Sequence, residues 1–435
     1  MTGFSKIFYA ATREFTTIER NIPAPYLRRS FMLDAPADAA SLTVCGLGFY
    51  ELFVNGQKIT KGHMAPYISN PDDILYYDSY DIAPYLRTGE NVIGFLLGNG
   101  MLNCWGGFVW DFEKAVYRSA PKVAFRAEIR CGEDVRAFEA DERMVCHPSP
   151  ILSDDLRIGE EYDARLELTG WAEPGFDTAG WTPALPAETP RGEARLCEAE
   201  PIVRFGERRP VAILPQDNAY IYDFGVNDAG ITRLHIHGKP GQKITLYHGE
   251  ALVDGRFYAD NLIFLRPEYA EMPQYTQRIV YTCRGGDETF EPSFTYHGFR
   301  YVLVEGIEPE QATEELLTYV VMHTKLEERG SFSCSDETAN TIQRMTRTST
   351  ESNFYYFPTD CPHREKNGWT ADASLSAEQA LLNLSVENSY REWLRNICKA
   401  MDDQGALPGI VPTSGWGFAW GNGPAWDHVL VNLPY

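Results

Sequence analysis

The chain has 435 residues, 44% of them hydrophobic and 23% charged, and this composition is typical of a globular protein with two or three domains. Its formal net charge of −22 argues against nucleic acid or an anionic membrane as partner, because both require clustered lysine and arginine. The nine cysteines form no CxxC pair, and no stretch reads as a signal peptide or a membrane span. We therefore expect a cytoplasmic protein with reduced thiols.

The first part of the chain has a β pattern. Residues 1–30 are predicted to be a lead-in strand and linker, and residues 31–205 a β-sandwich domain of jelly-roll type. The alternating run from Tyr50 to Val54 is followed by Asn55-Gly56, which is the strongest short hairpin signal. Further strands are predicted at 90–98, 122–130 and 135–139.

A second β region is predicted over residues 206–323. Residues 231–237 and 243–248 alternate between apolar and polar side chains, with a turn sequence between them. Further strands are expected at 277–283 and 299–304. Because the connections are short, we interpret this region as a second β-sandwich.

From residue 324 the hydrophobic period changes from two residues to 3.6. Asp336 is a predicted N-cap, and the helix after it would carry Ile342 and Met345 inward. A second helix is predicted from Leu375 to Leu384. A third has one apolar face, formed by Val386, Tyr390, Trp393, Ile397 and Met401. A last helix is expected near Asp427, and residues 324–435 together read as the start of a larger helical domain.

Between the first two helices lies a crowded polar segment, Phe357–Ala373, with the sequence FPTDCPHREKNGWTADA. Pro358 and Pro362 exclude a continuous helix, so an ordered loop is predicted. The loop brings many different charged groups and a tryptophan between apolar helices. This density favours a functional site over a solvated turn.

The carboxylates of this loop are suited to glycoside hydrolysis, in which one acid protonates the leaving oxygen and a second carboxylate activates water or attacks the sugar. Glu365 is flanked by two cations, Arg364 and Lys366. Nearby acids and burial favour the protonated form that a general acid needs, whereas these cations favour the carboxylate, and the sequence leaves the balance open. Trp369 could serve either as an apolar platform for a sugar or as an anchor of the loop.

Other chemistries are weaker candidates. Cys361 and His363 are close in sequence, but their side chains need not face each other as a nucleophile and base would. The acidic turns Asn70–Asp73 and Asp402-Asp403 lack the ligand spacing of a calcium loop. Histidines also lie on predicted strands and are interpreted as packing residues, namely His235, His237 and His248. We predict no metal and no cofactor.

Several separated segments, in the same order, resemble the bacterial α-L-rhamnosidases of glycoside hydrolase family seventy-eight. The resemblance covers residues 30 to 435. It rests on the loop TDCPHREKNGWTADA and on three β segments, which are 44–56 (VCGLGFYELFVNG), 161–165 (EYDAR) and 294–301 (FTYHGFRY). One departure is Ala371, where a glycine is usual.

The resemblance implies two β-sandwich domains followed by the first helices of an incomplete (α/α)6 barrel, and an inverting hydrolysis of terminal α-L-rhamnosyl residues. It implies that Glu365 is the general acid. It further implies that side chains around the acid bind the rhamnose, namely Asp360, Arg364 and Asp372 at the hydroxyls and Trp369 and Trp426 as apolar walls.

The family's catalytic base is a glutamate far downstream, and the chain ends before any such position. We therefore expect little or no turnover from this chain alone. The alternative is a non-catalytic rhamnose-binding protein built on the β modules. The expected partner is a rhamnose-containing glycoside or oligosaccharide, and the sequence leaves the oligomeric state open, with a homodimer as one candidate.

Overall fold

The computed structural model describes residues 3–269 and 277–434, which form two compact units. The first contains the chain up to Gly106, Phe112–Asp154 and Leu166–Cys197, and the second contains Gly107–Asp111, Asp155–Arg165 and the chain from Glu198 onward. Each unit is therefore assembled from segments that are separate in sequence.

Strands make up most of both units. In chain order the first are β1 (Phe8–Ala10), β2 (Pro25–Leu33), β3 (Ala39–Leu47), β4 (Phe49–Val54), β5 (Gln57–Lys58), β6 (Ile74–Asp81), β7 (Gly89–Gly98), β8 (Lys122–Cys131), β9 (Asp134–Glu139), β10 (Val145–Pro148), β11 (Ile151–Asp155), β12 (Gly159–Asp163), β13 (Thr182–Pro183), β14 (Leu185–Ala187) and β15 (Glu193–Leu196). The later ones are β16 (Ile202–Arg208), β17 (Ala212–Gln216), β18 (Ala219–Gly238), β19 (Lys243–Gly249), β20 (Ala251–Val253), β21 (Arg256–Tyr258), β22 (Arg278–Thr282), β23 (Gly286–Phe290), β24 (His297–Glu305), β25 (Leu317–Thr324), β26 (Phe354–Tyr355) and β27 (Phe357–Pro358).

The first unit is a β-sandwich, as the sequence predicts. One sheet has the order β14-β1-β8-β3-β6-β15, with β9 beside β8, and the other has the order β13-β10-β2-β7-β4-β5. Buried side chains from both sheets form one core, in which the ring centroids of Phe95 and Phe125 are 5.5 Å apart. The predicted hairpin joins β4 to β5, and Asn55 and Gly56 have φ angles of 50° and 84°.

The second unit is built on a sheet with the strand order β12-β22-β19-β24-β18-β25-β16, in which β17 and β23 also pair with β18. The 20-residue strand β18 pairs with four strands, and its register with β24 shifts between Asp223 and Asp228. The sheet encloses an apolar core in which Phe299 and Tyr319 stack with centroids 4.0 Å apart. The fold class predicted from sequence, β-sandwich domains followed by helices, is confirmed.

The α-helices of the described residues all belong to the second unit. They are α1 (Glu337–Ser352), α2 (Thr370–Asn383), α3 (Glu387–Ala400), α4 (Pro424–Asp427) and α5 (Val429–Asn432). Asp336 caps α1 as predicted, since its side chain accepts the Thr338 N–H at 2.8 Å. On α3, Tyr390, Trp393 and Ile397 are buried as predicted, whereas Met401 follows the helix and is 38% exposed.

The prediction that α1 turns Ile342 and Met345 inward is wrong, because these side chains are 59% and 67% exposed. Polar contacts attach the C-terminal half of the helix. Thr350 accepts a hydrogen bond from Gln379 of α2 at 2.7 Å, and Ser352 donates to Asp228 of β18 at 2.8 Å. The end of α1 is thus tied to α2 and β18, whereas Ile342 and Met345 remain exposed to solvent.

Candidate active site

The segment Phe357–Ala373 is shorter as a loop than the sequence predicts. Phe357 and Pro358 form β27, and α2 begins at Thr370, five residues before the predicted start at Leu375. Ala371 therefore lies in a helix, where a methyl group is well tolerated. The loop proper is the stretch between β27 and α2.

The two ends of the loop are tied together by Asp360 and Asn367. The Asp360 N–H donates to the Asn367 carbonyl oxygen at 3.1 Å, and the Asn367 N–H donates to Asp360 Oδ1 at 3.0 Å. Lys366, which lies between Glu365 and Asn367 in the sequence, has a φ angle of 56°. The loop is thus a closed turn that holds its side chains in fixed directions.

Three potential ligand groups converge inside this turn. The Asp360 carboxylate, the Cys361 thiol and the Glu365 carboxylate place one atom each within 4.8 Å of the others. Burial, followed by the charge of Glu365, raises the pKa of Asp360 to about 8, so the site favours the protonated form of this carboxyl group. Of the residues in 3–269 and 277–434, only these three are grouped closely enough to hold a metal ion.

Glu365 is positioned by the tryptophan four residues later. Trp369 Nε1 donates to Glu365 Oε2 at 3.0 Å, and Arg364 Nε lies 3.9 Å from the other carboxylate oxygen. The Glu365 side chain is 14% exposed, so it is largely buried and still open to a ligand. The tryptophan that sequence reasoning assigned to the sugar also orients the acid.

Arg364 is held by residues 261–264, for which the sequence analysis predicts no function. Its Nη1 donates to the Asn261 carbonyl oxygen at 2.7 Å, and its guanidinium carbon lies 5.1 Å from the centroid of the Phe264 ring. Only folding brings residues a hundred positions apart into contact. The guanidinium is thereby anchored beside Glu365.

Cys361 and His363 do not form a nucleophile pair. His363 Nε2 lies 3.5 Å from Glu250 Oε2, and its Nδ1 accepts the Arg364 N–H. Burial and the neighbouring Arg364 lower the pKa of His363 to about 4, and burial raises the pKa of the Cys361 thiol. A buried thiol that stays protonated is a poor nucleophile.

Asp372 lies in the first turn of α2, and burial raises its pKa. It lines a cleft of about 540 Å³ together with Asp360. The other lining side chains come from α1, α2, α3 and the segment leading to the loop, namely Met345, Thr346, Ser349, Thr350, Asn353, Phe354, Pro358, Thr359, Leu375, Ser376, Gln379 and Tyr390. The structure thus places two predicted sugar-binding carboxylates at one cleft.

Trp369 belongs to an aromatic cluster. The rings of Trp416 and Trp420 lie 5.8 Å and 6.2 Å from it, in edge-to-face arrangements. Gly421 allows this packing, since a Cβ there would lie 2.9 Å from the Trp369 ring. Trp420 is 68% exposed. The sequence analysis assigned no role to these two rings.

Trp426, the other predicted wall, lies in the short helix α4, which contacts α2. Its ring is partly buried, and within the described part of the chain its Nε1 has no hydrogen-bond partner. The ring pairs found around Trp369 involve Trp416 and Trp420. The place of Trp426 in the sugar subsite remains a prediction.

The strand histidines do not converge. His235 contacts Thr289, His237 contacts Asp287, and His248 is buried with Nε2 3.0 Å from Thr232 Oγ1. His248 also stacks on His297 with centroids 4.2 Å apart.

The two acidic turns are occupied by local hydrogen bonds. Asn70 Nδ2 donates to Asp73 Oδ2, and Asp402 Oδ1 accepts from the backbone of Gln404 and Ala406.

No helix in the described residues is both long and apolar enough to cross a membrane.

Three family models match consecutive parts of the chain. They are the alpha-L-rhamnosidase N-terminal domain at residues 35–205, the bacterial alpha-L-rhamnosidase concanavalin-like domain at 214–323 and the bacterial alpha-L-rhamnosidase 6 hairpin glycosidase domain at 327–435. Together they account for most of the chain.

Curated relatives agree with these matches. An alpha-L-rhamnosidase of Formosa agariphila is 32% identical over 383 residues, which are 86% of this chain and 39% of that protein. One of Streptomyces avermitilis is 30% identical over 95% of this chain and 39% of its own length. The chain thus spans about 39% of the length of these curated relatives.

Solved structures show the same fold. The alpha-L-rhamnosidase of Dictyoglumus thermophilum superposes with a TM-score of 0.88 at 30% identity, over 98% of this chain and 48% of that one. The Streptomyces avermitilis alpha-L-rhamnosidase in complex with L-rhamnose superposes with a TM-score of 0.85 at 29% identity, over 95% of this chain and 39% of that one. The order of the matched domains, the similarity of the relatives and the fold agree, and the chain belongs to the bacterial alpha-L-rhamnosidase family.

Proposed function

We propose that the chain carries the general-acid half of the site of an inverting α-L-rhamnosidase, which removes terminal α-L-rhamnosyl residues from glycosides or polysaccharides. The observation that carries the proposal is the Glu365 carboxyl group, which is largely buried, is fixed by Trp369 Nε1 at 3.0 Å and lies beside Arg364. The names of the relatives and the rhamnose complex of one of them favour this enzyme over a non-catalytic binding module.

Each predicted residue has a chemical part in this proposal. Glu365 protonates the glycosidic oxygen as the bond to the leaving group breaks. Asp360, Arg364 and Asp372 bind sugar hydroxyls, and a neutral Asp360 can donate as well as accept a hydrogen bond. Trp369 and Trp426 provide apolar faces for the sugar ring.

The catalytic base is not part of the loop in this proposal. An inverting pair of carboxyl groups is separated by about 6.5–9.5 Å, which leaves room for the attacking water. The Asp360 and Glu365 oxygens approach within 4.8 Å, which is too close. Because the chain spans about 39% of its curated relatives, we propose that the base lies in the part of the family that this chain does not match, and that turnover by the chain alone is weak or nil.

We further propose a cytoplasmic location. All nine cysteines are free in the structure, and this agrees with a reducing compartment. Cell fractionation followed by detection of the protein tests this location, and recovery in the medium would contradict it.

Calorimetry with L-rhamnose, combined with an aryl α-L-rhamnoside assay, tests the proposed function. We expect the 435-residue chain to bind rhamnose, Arg364→Met to weaken binding about tenfold or more, and aryl alcohol release to stay near background. Arg233→Met is the matched control, because Arg233 pairs with Glu291 at 2.7 Å outside the loop.

The outcomes separate the two parts of the proposal. Absence of rhamnose binding by the unaltered chain would contradict the assignment of this sugar. Appreciable release that Glu365→Gln abolishes would confirm the acid and contradict the claim of weak turnover.

A further inference from the structure

Arg157 is a buried arginine of the second unit, 208 residues before the acid whose backbone it contacts. It is 0% exposed. Its Nε donates to the backbone carbonyl oxygen of Glu365 at 2.6 Å, and its Nη2 donates to Asn367 Oδ1 at 2.6 Å. One guanidinium group therefore binds two positions of the loop, one on each side of Lys366.

Arg157 is itself held firmly. Its guanidinium carbon lies 5.1 Å from the centroid of the Trp110 ring and 5.7 Å from that of the Phe108 ring. The backbone N–H of Arg157 donates to Asp155 Oδ1 at 2.8 Å, and its backbone carbonyl oxygen accepts the Gln277 N–H at 2.9 Å. A planar group fixed in this way loses little additional freedom when it binds the loop.

The neighbouring Lys366 strengthens the same attachment. Its Nζ donates to the Leu156 carbonyl oxygen at 2.6 Å and to that of Tyr296, and lies 4.5 Å from the centroid of the Tyr296 ring. Lys366 is 1% exposed, so its ammonium points into the protein and away from a ligand. The residues on both sides of the Glu365–Lys366 peptide are thus fixed to the segment that contains Arg157.

These contacts fix Glu365 from both ends. Arg157 holds the backbone carbonyl, and Trp369 Nε1 holds the carboxylate at 3.0 Å. We propose that Arg157 is a positioning residue, whose guanidinium fixes the backbone of Glu365 and thereby directs the carboxyl group toward the ligand. This inference rests on the proposed function, in which Glu365 is the general acid.

An arginine is required because the two acceptors need two donors in a fixed plane. A guanidinium offers N–H groups in a rigid arrangement, whereas a lysine offers one ammonium on a flexible chain. Arg157→Lys would leave one of the buried acceptors without its donor. The Glu365 backbone could then shift, and the hydrogen bond from Trp369 would be the first contact to weaken.

Nuclear magnetic resonance of the tryptophan indole N–H groups tests this inference on the full 435-residue chain. Trp369→Phe and Trp393→Phe assign the two signals of interest. In Arg157→Lys we expect the Trp369 indole proton to exchange with water about tenfold faster or more, because its hydrogen bond to Glu365 Oε2 is weakened.

The internal control is Trp393, whose Nε1 donates to the Val411 carbonyl oxygen at 3.0 Å. Its exchange should be unchanged in Arg157→Lys, whereas a general loss of stability would accelerate both signals. The matched variant is Arg233→Lys, which makes the same substitution in the same unit and should alter neither signal.

Unchanged exchange of the Trp369 indole proton in folded Arg157→Lys would overturn the inference, and so would equal acceleration of both signals. If Arg157→Lys does not fold, the same indole exchange is measured in Trp110→Phe, which removes part of the ring surface that packs against the Arg157 guanidinium. The same outcomes then support or overturn the inference.

Calorimetry adds an independent measurement, since Arg157→Lys should weaken rhamnose binding about tenfold. An unaltered chain that fails to bind rhamnose would contradict the proposed function only, because the exchange experiment contains no sugar. Equal affinity of wild type and Arg157→Lys would overturn the positioning role.

Discussion

At the residue scale, Asp360 shows how burial changes the chemistry of a carboxyl group. Its pKa is raised to about 8 by burial and by the charge of Glu365, although it accepts the Asn367 N–H at 3.0 Å. Desolvation disfavours the charged form, and the nearby carboxylate does so as well. The folded protein therefore retains a proton that the unfolded chain releases near pH 4.

This proton predicts a pH dependence of stability. Because the folded pKa of Asp360 is raised, its contribution is fully present below about pH 4 and is lost as the pH rises through about 8. We expect the free energy of unfolding of the wild type to fall, relative to that of Asp360→Asn, between pH 5 and pH 8. Urea unfolding at several pH values measures this free energy. A free energy of unfolding that changes with pH equally in the two proteins would contradict the raised pKa of Asp360.

Gly298 of β24 is the second feature at this scale. A Cβ at this position would lie 2.5 Å from Cγ of Pro362, so the absence of a side chain lets the loop pack directly on the strand. We expect Gly298→Ala to cost about 1–3 kcal/mol of stability by overpacking. Gly206→Ala is the control, because a Cβ there meets nothing within 4 Å. Equal unfolding midpoints for the two variants in urea would show that the loop does not depend on this contact.

At the element scale, α1 and α3 show that helices predicted from sequence to bury apolar side chains can have different outcomes. Both helices were expected to turn their apolar side chains inward. Ile397 of α3 is 0% exposed, whereas Ile342 of α1 is 59% exposed. The burial of α3 and the exposure of α1 depend on which elements pack against each helix, and local sequence does not contain this information.

Truncation of these two isoleucines should therefore differ in cost. Ile342→Ala is expected to change the free energy of unfolding by less than about 0.5 kcal/mol, as is usual for exposed positions. Ile397→Ala removes buried methyl groups and should cost about 2–5 kcal/mol. Denaturant unfolding of both variants checks this, and a large loss for Ile342→Ala would show that α1 buries this side chain in solution.

At the scale of the whole molecule, the unit that contains the loop is not one continuous stretch. It includes Gly107–Asp111 and Asp155–Arg165 as well as the chain from Glu198 onward. The second of these segments supplies β12, which pairs in parallel with β22, and Arg157, which binds the loop. Order in the loop thus depends on residues that precede the second β region in sequence.

A comparison of two fragments tests this dependence. A fragment of residues 198–435 should lose the slow exchange of the Trp369 indole proton, because β12 and Arg157 are missing, whereas a fragment of residues 151–435 should retain more of it. Exchange of the Trp393 indole proton reports whether the helices still fold in each case. Slow exchange of Trp369 in the shorter fragment would contradict the prediction.

The sequence by itself determined the features that depend on local pattern. Alternation and turn residues predicted the strands and the Asn55-Gly56 hairpin, and the density of charge around Glu365 predicted where to look for a site. The N-cap at Asp336 and the buried face of α3 could also be predicted from sequence, because capping and 3.6-residue periodicity depend on residues close together along the chain.

Only the tertiary structure decided which distant groups meet the loop. Arg157 reaches Glu365, the carbonyl of Asn261 holds Arg364, and Trp416 packs on Trp369. The exposure of the apolar side chains of α1 and the burial that raises the pKa of Asp360 are of the same kind. Each arises from contacts between segments far apart in sequence, and the free energy of such contacts depends on packing and desolvation that no local pattern encodes.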